Sequence, residues 1–229
     1  MALFLFPGTR RARPALRGAD AAKRFPWEIG GPGGKNPSFF ERKGSSPLVE
    51  NPCVAWYNVI MENCVSFGPV FEPDARVLVL GSMPGVASLQ AAQYYAHPRN
   101  AFWPVMFALW GEKPPEDYAA RLAFLKKHRV ALWDVAAGCF REGSLDSNIR
   151  NARPNDFAAL FAACPQIEAI FFNGQAAWTL FHRLCPDAGG TARRVRLPST
   201  SPAYTMPFEQ KLTAWRAVRE AAEGEDKHI

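Results

Sequence analysis

Polar residues that could carry out acid–base or hydrogen-bond chemistry are concentrated in three short stretches of this 229-residue chain. The first contains His97 and Asn100, the second begins at Asp134, and the third, residues 198–202, places three hydroxyl side chains between two prolines. Imidazole, amide, carboxyl and hydroxyl groups together can bind and polarise a polar molecule, and imidazole titrates near neutral pH. These stretches are therefore the first candidates for a site.

The residues that commonly bind metals do not have the spacing of a metal site. The five cysteines include no C-x-x-C pair, and the four histidines include no pair four residues apart. We therefore expect no metal ion, iron–sulfur cluster or other cofactor. An odd number of cysteines without a convincing secretory signal predicts reduced thiols and a cytoplasmic location, in a bacterial cytoplasm or nucleoid. No apolar run approaches the roughly 20 residues that a membrane span requires, so no membrane partner is expected.

The first 60 residues differ from the remainder in composition. They contain seven glycines, seven prolines, nine basic and four acidic residues, which is +5 of the total charge of +6. We predict a disordered basic extension over residues 1–60 and a folded domain over residues 61–229. Three explanations of the extension stay open: a start codon assigned upstream of Met61, which we favour, a transit sequence, or a tail that adds DNA affinity. A domain with a net charge of only +1 would bind DNA through a local patch.

Patterns of strand and helix alternate after Met61. Strands are predicted at 76–81, 130–135, 167–172 and 193–197, and helices at 86–95, 101–110, 116–128, 155–164, 175–185 and 208–222. Strands separated by helices predict an α/β fold, a three-layer αβα arrangement around a central four-stranded parallel sheet. Residues 138–146 are predicted to be a long functional loop.

In such a sheet the loops that follow the strands meet at one edge, where ligands bind. That edge would collect residues 81–85, the loop after Asp134, the pair Asn173 and Gly174, and residues 198–202. The most unusual loops of the chain would therefore surround one pocket.

Several ordered motifs resemble the uracil-DNA glycosylase superfamily. Residues 81–85 (GSMPG) and 198–202 (PSTSP) are similar to two superfamily motifs, whereas 93–103 (QYYAHPRNAFW), 134–146 (DVAAGCFREGSLD) and 197–203 (LPSTSPA) resemble its hypoxanthine-DNA glycosylase branch. The resemblance covers about residues 61–222. It implies a uracil-DNA glycosylase-like fold and a monofunctional base-excision-repair hydrolase. Such an enzyme flips a deaminated base, chiefly hypoxanthine, out of double- or single-stranded DNA, and water then attacks C1′.

The resemblance also assigns residue roles. Met83 stands where related enzymes have an Asp or Asn that positions water, and a thioether cannot do this. The branch is understood to use a downstream asparagine, which matches Asn100, although this residue could instead only cap the following helix. His97 could assist the leaving base, or it could be structural. Asp134 could accept a hydrogen bond from N1–H of hypoxanthine, or it could cap a turn.

The remaining candidates line the pocket or contact DNA. The expected base pocket comprises Ser82, Met83, Pro84, Gly85, Tyr95, His97, Asp134 and Asn173. The expected DNA contacts are Ser199, Thr200, Ser201, Tyr204 and Arg99, with Tyr204 as the wedge that fills the vacated stack. Arg141, Ser144 and Asp146 are weaker candidates for the same pocket, and Phe102 and Trp103 are predicted to belong to the core.

Two other functions stay open. The same sheet edge could bind a nucleotide or damaged DNA without catalysis, or the substrate could be uracil or a uracil mismatch. A serine hydrolase is disfavoured because residues 81–85 are not a G-x-S-x-G elbow. We expect the protein to act as a monomer.

Overall fold

The computed structural model describes residues 63–224. The strands are β1 (Asn63–Val65), β2 (Val77–Gly81), β3 (Val130–Asp134), β4 (Ala136–Phe140), β5 (Arg150–Pro154), β6 (Ala169–Asn173) and β7 (Arg193–Leu197). The helices are α1 (Val86–Ala91), α2 (Phe102–Leu109), α3 (Tyr118–Lys127), α4 (Phe157–Ala163), α5 (Gln175–Leu184) and α6 (Phe208–Glu223). The predicted extension over residues 1–60 and the predicted start of the domain at Met61 lie outside the described residues.

Four strands form a parallel sheet in the order β3-β2-β6-β7. Val77 pairs with Val130 on one side and with Ala169 on the other, and Asn173 pairs with Leu197. All five residues of the central strand β2 are buried, because helices cover both faces of the sheet. All five residues of β3 are buried as well, although this strand lies at the edge of the sheet, where Val70 pairs with its Leu132. This confirms the predicted four-stranded parallel sheet and its α/β class.

The helices pack in two groups, as the three-layer prediction requires. Phe102 of α2 lies edge-on to Trp215 of α6, so these two helices pack together. Phe157 of α4 and Phe172 of β6 both contact Phe181 of α5. The chain moves one way along the sheet from β2 to β3 and the opposite way from β3 through β6 to β7. Right-handed crossovers therefore put the two groups on opposite faces.

A second sheet was not predicted. Strands β1, β4 and β5 form an antiparallel sheet in the order β1-β4-β5, with irregular register between β4 and β5. The predicted loop over 138–146 is therefore wrong in its first part, since residues 138–140 belong to β4. Pro154 ends β5, and the helix predicted at 155–164 begins at Phe157. Four of the five residues of β5 are exposed and two are arginines, so the strand carries no apolar alternation that would indicate it.

The helix predicted at 86–95 is shorter in the structure. It ends at Ala91, and Ala92 and Tyr95 both adopt left-handed backbone conformations with φ of 51° and 54°. A non-glycine residue with positive φ costs free energy and persists only where surrounding contacts impose it. The segment between α1 and α2 is thereby folded into a tight turn that points residues 95–100 towards the sheet edge.

The core lies between the parallel sheet and its two layers of helices. Phe102 and Trp103 are buried within it, as predicted, and the Trp103 indole N–H donates to the carbonyl of Tyr94. Among residues 63–224, no helix is long and apolar enough to cross a membrane.

Trp215 links the core to the loop that follows β7. Its side chain is fully buried, and its indole N–H donates to the carbonyl of Pro198 at 3.0 Å. We expect Trp215→Phe to lower the free energy of unfolding by about 1–3 kcal/mol, because a partly buried carbonyl loses its donor and a small cavity forms. Urea denaturation measures the change. Trp178→Phe, at a half-buried site on α5, is the control and should cost less; equal losses would contradict the assignment.

Candidate functional site

A pocket of about 460 Å³ lies at the C-terminal ends of the four parallel strands. Gly81 ends β2, Asp134 ends β3, Asn173 ends β6, and residues 199–203 follow β7. The pocket is completed by residues 82–88, 94–95, 97, 99–100 and 144–146. The structure therefore brings the predicted site residues together, with Tyr204 placed just beyond the lining.

Gly81 allows the closest approach in the pocket. A Cβ atom on this residue would lie 2.3 Å from Oδ1 of Asp134 and 3.1 Å from the hydroxyl of Tyr95. Any larger residue would push the carboxyl or the phenol out of position, because contacts below 3.0 Å are not tolerated. The absence of a side chain at Gly81 therefore creates the space in which Asp134 and Tyr95 meet.

Asp134 is buried, with 3% of its surface exposed, and its carboxyl accepts a hydrogen bond from the Ser66 hydroxyl at 3.0 Å. Burial raises the pKa of Asp134 from 3.8 to about 7, and Ser66 and the Arg141 guanidinium oppose the increase. Asp134 is therefore present in both protonation states near neutral pH. It can donate one hydrogen bond when protonated and only accept when ionised.

The hydroxyl of Tyr95 is buried at the pocket wall, where the Asn173 side chain is close enough to lower its pKa but does not complete a hydrogen bond of good geometry to it. Its ring stacks on Phe102 with the centroids 3.9 Å apart, and φ of 54° directs the backbone into this arrangement. Burial and the neighbouring Asp134 raise the pKa of Tyr95, so the phenol stays protonated. An unpartnered donor at the wall of a pocket is available to a ligand.

Asn173 holds the loop that follows β7. Its Nδ2 donates to the Thr200 hydroxyl, and its Oδ1 accepts from the Thr200 amide, each at 2.8 Å. Thr200 is completely buried, and its carbonyl accepts from the amide of Ala101. Both residues line the pocket, but these hydrogen bonds assign them to positioning the loop.

Asn100 also lines the pocket, next to Ala101, whose amide donates to the Thr200 carbonyl. Its Oδ1 accepts from the amide of Phe102 at 3.0 Å, which is a helix-capping bond although α2 itself begins one residue after the predicted Ala101. This bond does not use the second lone pair of the oxygen or the two Nδ2 protons, so they can interact with a ligand. The capping prediction and exposure to the pocket are therefore compatible.

His97 accepts a hydrogen bond from the amide of Arg99 through Nδ1 at 3.1 Å. This bond leaves the proton of the neutral ring on Nε2, so that nitrogen is the donor. Arg99 is exposed at the rim of the pocket.

The residues after β7 present hydroxyls at the rim. Ser199 Oγ accepts from the amide of Ser201, and Ser201 Oγ accepts from the amide of Ala203, so both hydroxyl protons remain available as donors. Tyr204 is 43% exposed. Lys211 donates to the Tyr204 carbonyl at 2.8 Å, and its ammonium lies 5.5 Å from the Tyr204 ring centroid. The buried lysine thereby holds an exposed aromatic ring beside the pocket.

The loop after β4 is fastened to residues 81–85. The buried guanidinium of Arg141 donates to the carbonyls of Gly143, Met83 and Pro84. The Val86 amide donates to Ser144 Oγ at 3.0 Å. These bonds hold the loop after β4 against one side of the pocket. Arg141, Ser144 and Asp146, the weaker candidates from the sequence, therefore belong to this side.

Ser66 is a site residue that the sequence did not predict. This residue precedes every predicted element and has no motif around it, so only the packing of residues 63–70 against β3 and β4 places its hydroxyl on Asp134. No group of three or more His, Cys, Asp or Glu side chains in the range 63–224 is arranged to hold a metal ion.

We expect Arg141→Met to lower the free energy of unfolding by about 1–3 kcal/mol, because it leaves buried carbonyls without a donor. Amide hydrogen exchange should accelerate at residues 141–148 and 82–86. Exposed Arg183→Met on α5 is the control for loss of charge. Unchanged exchange in the Arg141 variant would show that the loop is held by other contacts.

Asp134 should make stability depend on pH. Because its pKa is higher in the folded state than in the unfolded chain, the folded protein retains a proton that the unfolded chain releases between pH 5 and 7. The free energy of unfolding should therefore fall by about 1 kcal/mol per pH unit over this range. Asp134→Asn keeps an acceptor for Ser66 but cannot ionise, so this slope should decrease in urea titrations, whereas exposed Asp187→Asn should retain it. Equal slopes would contradict the buried protonated form.

Comparisons with known proteins agree with this geometry. Residues 69–221 match the family model described as the uracil DNA glycosylase superfamily. A protein of Methanosarcina acetivorans named hypoxanthine DNA glycosylase is 35% identical over 153 residues, which are 66% of this chain and 95% of that protein. A protein of the same name from Methanosarcina barkeri strain Fusaro is 37% identical over 110 residues, 48% of this chain and 70% of the relative.

A solution NMR structure of a Methanosarcina acetivorans protein, provisionally assigned as a uracil DNA glycosylase, is similar in fold. It matches with a TM-score of 0.62 and 32% identity over 71% of this chain and all of that chain. The matched residues include all four parallel strands and every pocket-lining loop. This chain therefore belongs to the uracil DNA glycosylase superfamily.

Proposed function

We propose that this protein is a monofunctional DNA glycosylase that hydrolyses the N-glycosidic bond of deaminated bases, chiefly hypoxanthine. The observation that carries the proposal is the arrangement of Asn100, Asp134 and Tyr95 around one pocket at the sheet edge. The names of the two Methanosarcina relatives support hypoxanthine as the base. Water is the nucleophile of the proposed hydrolysis, and the proposal includes no metal ion or organic cofactor.

Asp134 and Tyr95 suit the edge of hypoxanthine that distinguishes it from adenine. Hypoxanthine presents a carbonyl acceptor at C6 and a donor at N1–H, whereas adenine presents a donor and an acceptor in these places. The Tyr95 hydroxyl can donate to the carbonyl, and the ionised Asp134 can accept from N1–H. Because its pKa is about 7, Asp134 can also be protonated near neutral pH. The protonated form would not repel the departing base anion.

Asn100 is proposed as the catalytic amide. Its oxygen is fixed by the Phe102 amide, so the amide has one orientation in the pocket wall. In this orientation it can hold water or the sugar and stabilise the charge that develops as the base leaves. His97, through Nε2–H, is a candidate donor to the leaving purine.

The rim is proposed as the DNA contact. Ser199 and Ser201 supply hydroxyl donors for phosphates, and exposed Arg99 adds a positive charge. Tyr204 is the proposed wedge, because Lys211 holds its exposed ring beside the pocket from which a flipped nucleotide would leave the stack. We propose that the enzyme acts as a monomer on DNA in the cytoplasm.

The proposal is tested by single-turnover cleavage of duplexes that contain deoxyinosine, uracil or xanthine. Among these duplexes, wild type should form abasic sites fastest in the one that contains deoxyinosine. Asn100→Ala should reduce this rate about 10²–10³-fold. Asn100→Ser retains an oxygen for the Phe102 amide, so a mere capping role predicts recovery of the rate, whereas a catalytic amide predicts continued loss. Gln210→Ala, which removes an exposed amide on α6, is the control and should have the wild-type rate.

The other candidate functions give different results in the same assay. Faster cleavage of uracil than of hypoxanthine would make uracil the principal substrate. Tight binding of the damaged duplex or of a nucleotide without cleavage of any strand would replace the proposal by a binding function. A wild-type rate in Asn100→Ala would remove this residue from the chemistry.

A further inference from the structure

The loop at residues 81–85 supplies no group that can take a proton from water. Met83 is a buried thioether with 6% of its surface exposed, Pro84 and Gly85 have no polar side chain, and Ser82 provides a weakly basic hydroxyl. Hydrolysis of a glycosidic bond is accelerated by a carboxylate that activates water or stabilises the developing positive charge on the sugar. Such a carboxylate must come from another element of the pocket.

Asp146 places a carboxylate next to residues 81–85. It opens a short 3₁₀ turn, Asp146–Asn148, at the end of the loop after β4, and it lines the pocket together with Ser144 and Leu145. The Ser82 hydroxyl donates to its Oδ1 at 2.5 Å. The carboxylate therefore lies directly beside the loop that lacks an acid, and Ser82 fixes its orientation.

The position of Asp146 is established before any substrate binds. Arg141 ties the loop to the carbonyls of Met83 and Pro84, and Ser144 accepts from the amide of Val86. Asn148 donates to the carbonyl of Glu142 and closes the loop on itself. Because the loop is fastened in this way and Ser82 bonds to the carboxylate itself, no rearrangement is needed in the transition state.

The surroundings suit a proton acceptor. Although Asp146 is an exposed residue, the adjoining loops partly desolvate its carboxyl and raise its pKa, while the Ser82 hydroxyl and the Arg141 guanidinium oppose the increase. Asp134 faces the same space from β3 and is half protonated near pH 7. Asp146 is the carboxylate at the open side of the pocket, whereas Asp134 is buried at its base.

We infer that Asp146 is a catalytic residue of the proposed hydrolysis: its carboxylate orients the attacking water and takes the proton of that water. The water oxygen forms a bond to C1′ as the bond from C1′ to the base nitrogen breaks. The electron pair of the broken bond leaves on the base, which is protonated afterwards from solvent. The water proton passes to Asp146 and then to solvent. This inference rests on the proposed function and adds to it the group that accepts the proton.

Asp146→Asn and Asp146→Ala test the inference in the full-length protein with a deoxyinosine duplex. Asp146→Asn keeps an oxygen for the Ser82 hydroxyl, so the loop should fold normally while the single-turnover rate falls at least 100-fold. Affinity for the duplex, measured by fluorescence anisotropy, should change less than threefold. Glu142→Gln removes an exposed carboxylate from the same loop and should retain the wild-type rate.

Sodium formate separates catalysis from structure. In Asp146→Ala the lost side chain leaves space at the open side of the pocket, and formate should raise the rate at least tenfold because it restores a carboxylate there. It should not accelerate wild type or Asn100→Ala. A wild-type rate in Asp146→Asn, or no rescue of Asp146→Ala, would overturn the role of Asp146 while leaving the glycosylase proposal intact. Failure of wild type to cleave any damaged duplex would overturn both.

Discussion

The parallel pairing of β2 with β3 and β6 is the constraint on which the site depends. Its register aligns Gly81 with Asp134, while Asn173 ends the next strand beside Leu197. The Asp134 carboxyl lies against the Cα of Gly81, in the space that a side chain at position 81 would occupy. A shift of one residue in either pair would place these groups on opposite faces of the sheet, since side chains alternate between the faces of a strand.

The loops around this edge are held mainly by hydrogen bonds from side chains to backbone groups. Arg141 fastens the loop after β4 to residues 81–85, Asn173 fastens the loop after β7 through Thr200, and Asn100 fixes the first turn of α2. Loops have few backbone partners of their own, so such bonds replace the ladder that holds a strand. The groups left without protein partners, above all the Tyr95 hydroxyl, are then presented to a ligand in a fixed geometry.

Asp134 illustrates how burial and chemistry are coupled. The sheet and the surrounding loops exclude water from its carboxyl, and this raises its pKa to about 7. The same burial that costs stability as the pH rises allows the residue to change between donor and acceptor near neutral pH. Asp146, on the open side of the same pocket, has a more accessible carboxyl. The two carboxyls therefore occupy different environments, which permits different roles.

The sequence by itself determined the parallel sheet, its helices and the rim, because buried strands and amphipathic helices leave strong apolar periods and the motif strings lie directly after the strands. Strand β7 was predicted with its observed bounds. Only the tertiary structure decided the second sheet, whose exposed strand β5 carries no period, and the contacts of Ser66, Arg141 and Asp146. These contacts join residues 57 to 68 positions apart, and the periodicity of a sequence gives no information about contacts over such separations.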